Sequence, residues 1–289
     1  MNLSIEYSVS IQHIVQRYKP LRVNETMAHL LIKFGGGLIT NKDKMMSVNN
    51  EAINNLAKTT SILLAQNHHV TIVHGAGSFG HLKAKKWNLA SGADFSILNQ
   101  QIAAVSEVRN DMEFLNSIIC QSLAENGIKT KSHPPSTWVN GTGPDFKGDL
   151  TRFSKIAANS INITFGDVVD CNEPKKFGIL SGDDLMVRIA KEIEGISHVV
   201  FLLGDTEGVM TAPPNDPESE LIDTWKIGDV LQGLHQDEMD VTGGIFLKVN
   251  SAELIARSVD EVWLMDGRKP ERVIDLIENG ITVGTRVTA

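Results

Sequence analysis

Cysteine is almost absent from this chain of 289 residues, which contains only Cys120 and Cys171. So low a content excludes a disulfide framework of the kind that holds small secreted domains together, and it favours a reducing cytoplasm as the location. A structural zinc site is not indicated either, because no histidine and cysteine pair has the spacing of such a site. We therefore predict no metal site built from protein side chains.

Long apolar runs and an excess of positive charge are lacking as well. No stretch approaches the roughly 18 consecutive apolar residues of a membrane span, and the first six residues lack the basic start and apolar core of a secretory signal. The 27 Lys and Arg against 35 Asp and Glu give a net charge of −8, which argues against a general nucleic-acid surface. We expect neither a membrane nor a nucleic acid as partner. The net negative charge of the protein repels a phosphate ligand, so such a ligand would have to be held by a few lysines beside backbone amides.

What the sequence does contain is an alternation of apolar runs and helical periodicities. The apolar runs predict buried strands near residues 30–34, 70–73, 199–203 and 261–265. The periodicities predict helices near residues 49–66, 97–126, 182–194, 245–258 and 270–279. Strands that alternate with helices are typical of an α/β fold, an open αβα sandwich with a mostly parallel central sheet.

The chain divides into an N-terminal extension, residues 1–28, and one domain over residues 29–285. Apolar residues in the extension are spaced to form one helical face, which Pro20 would end. Residues 132–150 are rich in proline and glycine and predict a loop, whereas the apolar stretches near 161–169 and 177–180 suggest a hairpin-like pair.

The segment 74–81 is the most informative one and reads His-Gly-Ala-Gly-Ser-Phe-Gly-His. Its glycines remove side chains from a tight turn, so that backbone N–H groups can approach a phosphate. His81 closes the turn, where it could donate a hydrogen bond to an anion. The same spacing also fits a dinucleotide-binding turn, and a purely structural turn is a third interpretation.

Glycine-rich turns follow three predicted strands, at residues 35–37, 75–80 and 204–208. In open parallel sheets ligands bind beyond the carboxyl ends of the strands. Because each of these turns follows such an end, we expect all three to lie at one edge of the sheet.

Three lysines accompany the glycines. Lys33 lies inside an apolar run, where its ammonium group is costly unless it meets an anion or reaches solvent. Lys42 follows the first turn and is either a ligand or a solvated charge. Lys248 comes one helical turn after Asp-Val-Thr-Gly-Gly at 240–244, where a helix start could bind phosphate or could be structural only.

Acidic residues stand at four predicted turns: Asp167, Asp183, Asp184 and Asp205. They could orient a lysine or the hydration shell of Mg²⁺, or bind nucleotide hydroxyls. Asp183 and Asp184 could equally be ordinary helix caps.

These motifs occur in the order found in the amino acid kinase family, which the chain resembles over roughly residues 29–285. The shared segments are Lys33–Gly37, 74–81, Ile179–Asp184, Gly204–Val209 and Asp240–Lys248. The Ser-Phe-Gly-His ending of 74–81, with Gly166–Val169 and Leu180–Asp184, is similar in particular to the isopentenyl phosphate kinases of that family.

The resemblance implies a homodimeric αβα enzyme that uses ATP and Mg²⁺ to phosphorylate a small-molecule monophosphate, isopentenyl phosphate in particular. The acceptor would bind to the half at about 29–165 and the nucleotide to the half at about 166–285. The catalytic residues that it implies are Lys33, Lys42 and His81. The acceptor phosphate would be held by Gly75, His81 and Gly182. The nucleotide would be bound by Lys33, Phe34, Gly35, Gly36, Gly37, Ala76, Gly80, Asp205, Gly208, Gly244 and Lys248.

Two departures from the family pattern and several alternatives remain. The first glycine turn usually ends in serine, where this chain has Gly37, and the extension has no counterpart in a minimal family member. A fosfomycin-kinase-like enzyme for another phosphate or phosphonate is the nearest alternative. A non-catalytic nucleotide-binding protein is disfavoured because all three lysines are retained. An apolar tail would bind near the helix after the turn, where the candidates are Phe95, Ile97, Ile102 and Val105.

Overall fold

The computed structural model describes residues 27–41, 44–155, 157, 159–213, 216–230 and 244–289. The predicted helix face of the N-terminal extension therefore lies outside the described residues, as do Lys42 and residues 240–243.

Eight of the described strands form a central sheet, and two more form a separate hairpin. The sheet contains β1 (His29–Phe34), β2 (His69–His74), β3 (Lys129–Ser132), β4 (Ser160–Phe165), β7 (Ile196–Leu203), β8 (Thr224–Lys226), β9 (Glu261–Asp266) and β10 (Thr285–Thr288). The hairpin pairs β5 (Asp167–Asp170) with β6 (Phe177–Leu180).

The described helices connect these strands. They are α1 (Gly36–Ile39), α2 (Asn50–Ala65), α3 (Gly77–Lys86), α4 (Leu98–Glu125), α5 (Gly182–Glu192), α6 (Ile245–Ala256) and α7 (Arg272–Asn279). Short 3₁₀ turns occur at Leu89–Ser91, Pro135–Thr137 and Leu150–Phe153. None of the helices in the described ranges is both long and apolar enough to cross a membrane.

The strand order of the sheet is β3-β4-β2-β1-β7-β9-β10-β8. Every neighbouring pair is parallel except β9 and β10, which run antiparallel. The predicted mostly parallel α/β sheet is therefore confirmed. Since β1, β2, β4, β7 and β9 all point the same way, their carboxyl ends meet at one edge, as expected for the glycine turns.

Strand β1 shows how the sequence places the core on both faces of the sheet. All its residues are buried, and successive side chains point to opposite faces. Leu30, Ile32 and Phe34 belong to the apolar cluster that contains the inner side chains of α2 and α4. Leu31 belongs to the apolar cluster on the other face, which contains the inner side chains of α5 and α6. Lys33 shares the face of Leu31, and so points toward α5.

The structure corrects two of the predicted boundaries. Residues 77–86 are helical, so the predicted turn at 74–81 is limited to its first residues and His81 lies on α3. The predicted apolar stretch at 161–169 is broken at Gly166, where the chain leaves the sheet and enters the hairpin. Asn49 caps α2, because its side chain accepts a hydrogen bond from the N–H of Ala52 at 3.3 Å.

Candidate active site

The first two glycine turns are in direct backbone contact at the edge of the sheet. A Cβ atom on Gly36 would lie 2.4 Å from the nitrogen of Gly77, and one on Gly75 would lie 2.6 Å from the nitrogen of Gly36. Gly204 is equally close to the first turn, since a Cβ there would lie 2.7 Å from the carbonyl carbon of Gly37. No side chain fits between these segments, which explains the need for glycine and leaves backbone groups as the main surface of the site.

Hydrogen bonds extend the strand pairing beyond the strand ends and fix these turns. The N–H of Gly35 donates to the carbonyl of Leu202 at 3.1 Å, and that of Gly75 donates to the carbonyl of Phe34 at 2.9 Å. The N–H of Gly166 donates to the carbonyl of His74 at 3.1 Å. The predicted meeting of the turns at 35–37, 75–80 and 204–208 at one edge is therefore observed, and the segment after β4 joins them there.

Lys33 is buried at this edge, with 5% of its surface exposed. Its ammonium group forms an ion pair with Asp183 near the start of α5 and lies 5.9 Å from the centre of the Phe201 ring. A Cβ atom on Gly182 would lie 3.3 Å from Cε of Lys33. Of the two alternatives that the sequence left for this lysine, an anion or solvent, the structure shows the first, and the anion is a carboxylate of the chain itself.

The two neighbouring aspartates at the start of α5 have different tasks. Ser181 caps the helix by accepting a hydrogen bond from the N–H of Asp184 at 3.0 Å, and its hydroxyl donates to the Asp184 carboxylate at 2.7 Å. Burial raises the pKa of Asp184, and the bonds from Ser181 oppose that shift. Asp184 is thus part of the cap, whereas Asp183 holds Lys33. Sequence alone left both roles open for both residues.

His81, Lys33 and Lys248 converge although they come from α3, β1 and α6. The residue His81 is exposed at the surface of α3, and partial burial of its ring, with the positive charges of Lys248 and Lys33, lowers its pKa. This electrostatic coupling requires both ammonium groups to lie near the imidazole. The Lys248 ammonium donates to the carbonyl of Gly244 at 3.0 Å, so that it folds back over the start of α6. An imidazole on the helix that begins at the second glycine turn is thus coupled to two ammonium groups, an arrangement that favours anions.

A sequence model of the amino acid kinase family matches residues 29–266 of the chain. The chain belongs to the amino acid kinase family. Its similarity extends to particular members: it is 31% identical to the isopentenyl phosphate kinase of Thermoplasma acidophilum over 86% of this chain and 95% of that protein. It is 28% identical to the isopentenyl phosphate kinase of Methanothermobacter thermautotrophicus over 90% of this chain and 98% of that protein.

Solved structures agree with these sequence relatives. A crystal structure of the T. acidophilum isopentenyl phosphate kinase in a product complex superposes with a TM-score of 0.72 and 27% identity, over 90% of this chain and all of that one. Another isopentenyl phosphate kinase structure superposes with a TM-score of 0.76 and 25% identity over the same shares. The predicted resemblance of this amino acid kinase is confirmed at the level of fold and of nearest subfamily.

Several residues predicted to bind ligands also have packing roles in this kinase. The side chain of Phe34 is 2% exposed and lies in the core, so only its backbone faces the turns. A Cβ on Gly80 would lie 2.8 Å from the Cβ of Ala76, where α3 packs on α4. A Cβ on Gly208 would lie 2.5 Å from the hydroxyl of Thr285 in β10. Ligand contacts of these residues remain predictions.

The other predicted ligands are placed as follows. Asp205 is exposed in the turn after β7, and its charge contributes to the raised pKa of Arg268, after the larger effect of Asp266. Gly244 precedes α6 with a φ angle of 113°, a left-handed conformation that glycine adopts readily. Lys42 is outside the described residues, so its predicted catalytic role remains a prediction.

The predicted lining of an apolar tail pocket is only partly supported by exposure. Phe95 and Ile102 are 68% and 50% exposed, whereas Val105 is buried in the core. Ile97 is half-buried and immediately precedes α4.

Asp167, at the start of the hairpin, is buried without a cation in hydrogen-bonding contact among the described residues. Its carboxylate accepts hydrogen bonds from the N–H of Val168 at 2.7 Å and of Ser136 at 3.2 Å. Burial raises its pKa to about 6, and these bonds oppose the shift. The bonds join the loop around 133–137 to the hairpin, which is a structural task.

Sequence reasoning gave no task to His74 and did not find Asn116, which contacts it. The His74 ring is fully buried beneath the second glycine turn. Asn116 lies 42 residues later on α4, and no local spacing connects the two. Only the folded arrangement of β2 against α4 shows that they belong together.

Proposed function

We propose that this kinase transfers the γ-phosphoryl group of ATP to isopentenyl phosphate and forms isopentenyl diphosphate. The observation that carries the proposal is the position of His81 on the helix that begins at the second glycine turn, where the charges of Lys248 and Lys33 act on its ring. An imidazole next to two ammonium groups suits an acceptor that already carries a phosphate. The two ammonium groups would serve the nucleotide phosphates with any acceptor, so His81 is the group that favours an acceptor with a phosphate of its own.

The coarser activity follows from the relatives. The chain is a kinase whose acceptor is a phosphate group, as are the isopentenyl phosphate kinases that match 86% and 90% of it. The proposal that this acceptor carries a prenyl group goes further than that activity. It is supported by the two segments that are similar to isopentenyl phosphate kinases, the Ser-Phe-Gly-His ending at His81 and Leu180–Asp184. Homodimerisation and a cytoplasmic location remain predictions.

Phosphoryl transfer to a phosphate acceptor requires neutralisation of negative charge and does not require a strong base. A phosphate monoester is already an anion near neutral pH, so no strong base is needed to activate it. The difficulty is to bring two anions together, and backbone N–H groups with Lys33 and Lys248 offset that repulsion. In this arrangement His81 positions the acceptor phosphate by donating a hydrogen bond. Asp183 keeps the Lys33 ammonium at the sheet edge.

ATP and Mg²⁺ fit the residues that are present. The phosphates would lie on the exposed backbone of Gly37 and the half-exposed Gly36 and Ala76, with the ammonium groups of Lys33 and Lys248 beside them. In the described ranges no group of three or more His, Cys, Asp and Glu side chains is placed to hold a metal ion. Mg²⁺ often keeps several water ligands and binds through substrate phosphates, so it needs no such cage.

The test is an ADP-release assay with purified protein, ATP and a panel of acceptors. The panel contains isopentenyl phosphate, dimethylallyl phosphate, longer prenyl phosphates and fosfomycin. We expect the highest kcat/KM with isopentenyl phosphate. A Lys33→Met variant purified in parallel measures contaminating ATP hydrolysis. Turnover of fosfomycin alone would contradict the prenyl acceptor but keep the kinase.

A further inference from the structure

His74 is a buried titratable residue to which the mechanism above gives no task. It ends β2, directly before the glycine turn, and none of its surface is exposed. Its ring stacks on Phe165 of β4, with the ring centres 4.9 Å apart and an angle of 25° between the planes. A buried imidazole of this kind must have partners for both ring nitrogens.

The two ring nitrogens of His74 have different partners. Nδ1 donates a hydrogen bond to the carbonyl of Gly75 at 3.1 Å. Nε2 lies 3.3 Å from the side-chain amide of Asn116, and the other atom of that amide lies 2.8 Å from the Ser132 hydroxyl. Because a neutral ring that donates from Nδ1 accepts at Nε2, the amide is oriented with its NH₂ group toward Nε2 and its oxygen toward the Ser132 hydroxyl, which donates to it. Burial lowers the pKa of His74 to about 4, so the ring is neutral at pH 7 and acts as an oriented donor without a charge.

The bond from His74 determines where the next N–H points. In a planar trans peptide group the C=O and the N–H point in opposite directions. Because the Gly75 carbonyl turns inward to the ring, the N–H of Ala76 in the same peptide group points outward. The nitrogen of Ala76 lies 3.3 Å from where a Cβ on Gly36 would stand, at the meeting point of the two glycine turns. Among the described residues, none accepts a hydrogen bond from this N–H.

We propose that His74 is a positioning residue for phosphoryl transfer: by holding the Gly75 carbonyl inward, it aims the N–H of Ala76 at the phosphoryl group in transit. The inference rests on the proposed function only in placing two phosphates at this turn. The N–H of Gly75, in the preceding peptide group, is already held by the carbonyl of Phe34, so the bond from the ring fixes the next peptide group, which joins Gly75 to Ala76. Asn116 and Ser132 keep the ring in its orientation.

Three variants of His74 separate positioning from packing. His74→Asn places an amide NH₂ where Nδ1–H was and keeps a donor for Gly75. His74→Gln places its amide near the position of Nε2 and loses that donor. His74→Phe keeps the stack on Phe165 and has no polar atom. Each is assayed at a temperature where its denaturation curve shows it to be folded.

We expect His74→Asn to stay within about fivefold of wild-type kcat, while His74→Gln and His74→Phe lose about 100-fold, the usual effect of one lost transition-state donor. The KM values for ATP and acceptor should stay within about threefold, because the donor is needed most as charge develops in transit. A residue that only packs would give losses that follow the unfolding free energy. Equal kcat values for the Asn and Gln variants would overturn the proposal.

His133 provides a matched control outside the glycine turns. Its ring is also buried, lies 4.9 Å from the Phe153 ring centre and contacts the side chain of Asn162 at 3.0 Å. The variants His133→Asn and His133→Gln should cost similar stability and leave kcat within about threefold. If no His74 variant folds, Asn116→Leu and Asn162→Leu are compared in the same way. A kcat loss shared equally by that pair would count against the proposal.

Failure of the proposed function leaves this test intact. The kcat ratios are measured with whichever panel acceptor the wild type phosphorylates, so fosfomycin turnover would refute the prenyl acceptor and still test His74. A second readout needs no turnover at all. In ¹⁵N-labelled protein the amide resonance of Ala76 should shift when ATP is added, and the shift should be lost in His74→Gln and kept in His74→Asn. An Ala76 resonance that does not respond to ATP in the wild type would refute the positioning role.

Discussion

The ammonium group of Lys33 is held by the carboxylate of Asp183, which follows it by 150 positions in the chain. The two side chains are only 6% and 15% exposed, so the pair is largely removed from water. It joins the end of β1 to the start of α5 and lies where the predicted acceptor and nucleotide halves meet. An ammonium group has three donors, so Lys33 can keep Asp183 and still donate to a phosphate.

Removing Asp183 should destabilise the protein through the charge that it leaves behind. Asp183→Ala is expected to lower the free energy of unfolding by about 3 kcal/mol, because a buried ammonium group then lacks a partner. The double variant Lys33→Met with Asp183→Leu should recover most of that loss without recovering activity. Guanidinium unfolding curves measure both. Asp170→Ala breaks the exposed pair with Arg109 and should cost less than about 1 kcal/mol; an equal cost at both sites would contradict the burial argument.

Asp183→Asn should reduce catalysis more than substrate binding. The amide keeps the size of the carboxylate but no longer holds the ammonium group by charge, so Lys33 is less well placed in the transition state. We expect kcat to fall by about 100-fold with modest changes in KM. Asp184→Asn, which alters the neighbouring cap, is the control and should change kcat far less. Steady-state ADP release distinguishes the two, and equal effects would mean that Asp183 is only part of the helix cap.

His81→Ala should lose acceptor binding and turnover while it largely keeps ATP binding. The imidazole lies on α3 beside Lys33 and Lys248, and its predicted task is to hold the acceptor phosphate. Calorimetry with isopentenyl phosphate and, separately, with a non-hydrolysable ATP analogue gives both affinities. The control is Lys85→Ala, a substitution at an exposed position on the same helix, which should change neither affinity. Loss of nucleotide affinity with the acceptor affinity retained would show that the role assigned to His81 is wrong.

Acceptor binding should be accompanied by proton uptake near neutral pH. Burial and the charges of Lys248 and Lys33 lower the pKa of His81 in the free protein, so the free imidazole is mainly neutral at pH 7. A bound phosphate beside the ring favours its charged form and raises the pKa again. Binding enthalpies in buffers of different ionisation enthalpy count the protons. We expect uptake in the wild type and much less in His81→Asn; equal uptake in both would exclude His81 as the source.

Stability should fall as the pH drops from about 6.5 to about 4, partly because of His29. Burial, and then the nearby His69, lower the pKa of His29 to about 4, whereas in the unfolded chain it is about 6.5. The unfolded chain therefore takes up the proton first, and stability is lost as the pH falls. His29→Gln should reduce the difference in unfolding free energy between pH 7 and pH 4.5 by about 2–3 kcal/mol.

The raised pKa of Asp167 affects the pH dependence of stability in the opposite direction to that of His29. Its value of about 6 in the folded protein means that its contribution to stability is lost as the pH rises from about 4 to about 6. Asp167 is present in both the wild type and His29→Gln, so it cancels in the comparison. An unchanged pH dependence in His29→Gln would show that the His29 ring is not the titrating group.

Local patterns predicted the elements whose burial leaves a periodic trace. The predicted bounds of strand β1 and helix α2 agree with the structure within one residue, because most of their buried positions are apolar. Strands β3, β8 and β10 were missed. β3 is Lys-Thr-Lys-Ser and mostly exposed, and β8 has three residues, so neither has an apolar alternation to detect. Helix α3 was missed because three glycines near its start favour a turn, whereas contacts with α4 keep it helical.

The sequence by itself determined the alternation of strands and helices, the glycine turns that follow the strands, and the need of Lys33 for either an anion or solvent. These follow from local burial, from close backbone approach and from the cost of an unpaired buried charge. Only the tertiary structure decided that Asp183 is the partner of Lys33, that Asp184 is part of a helix cap, and that the charges of Lys248 and Lys33 act on His81. It alone brought Asn116 to His74. Such choices depend on distances between residues far apart in the chain, and these are fixed when the helices pack against the sheet.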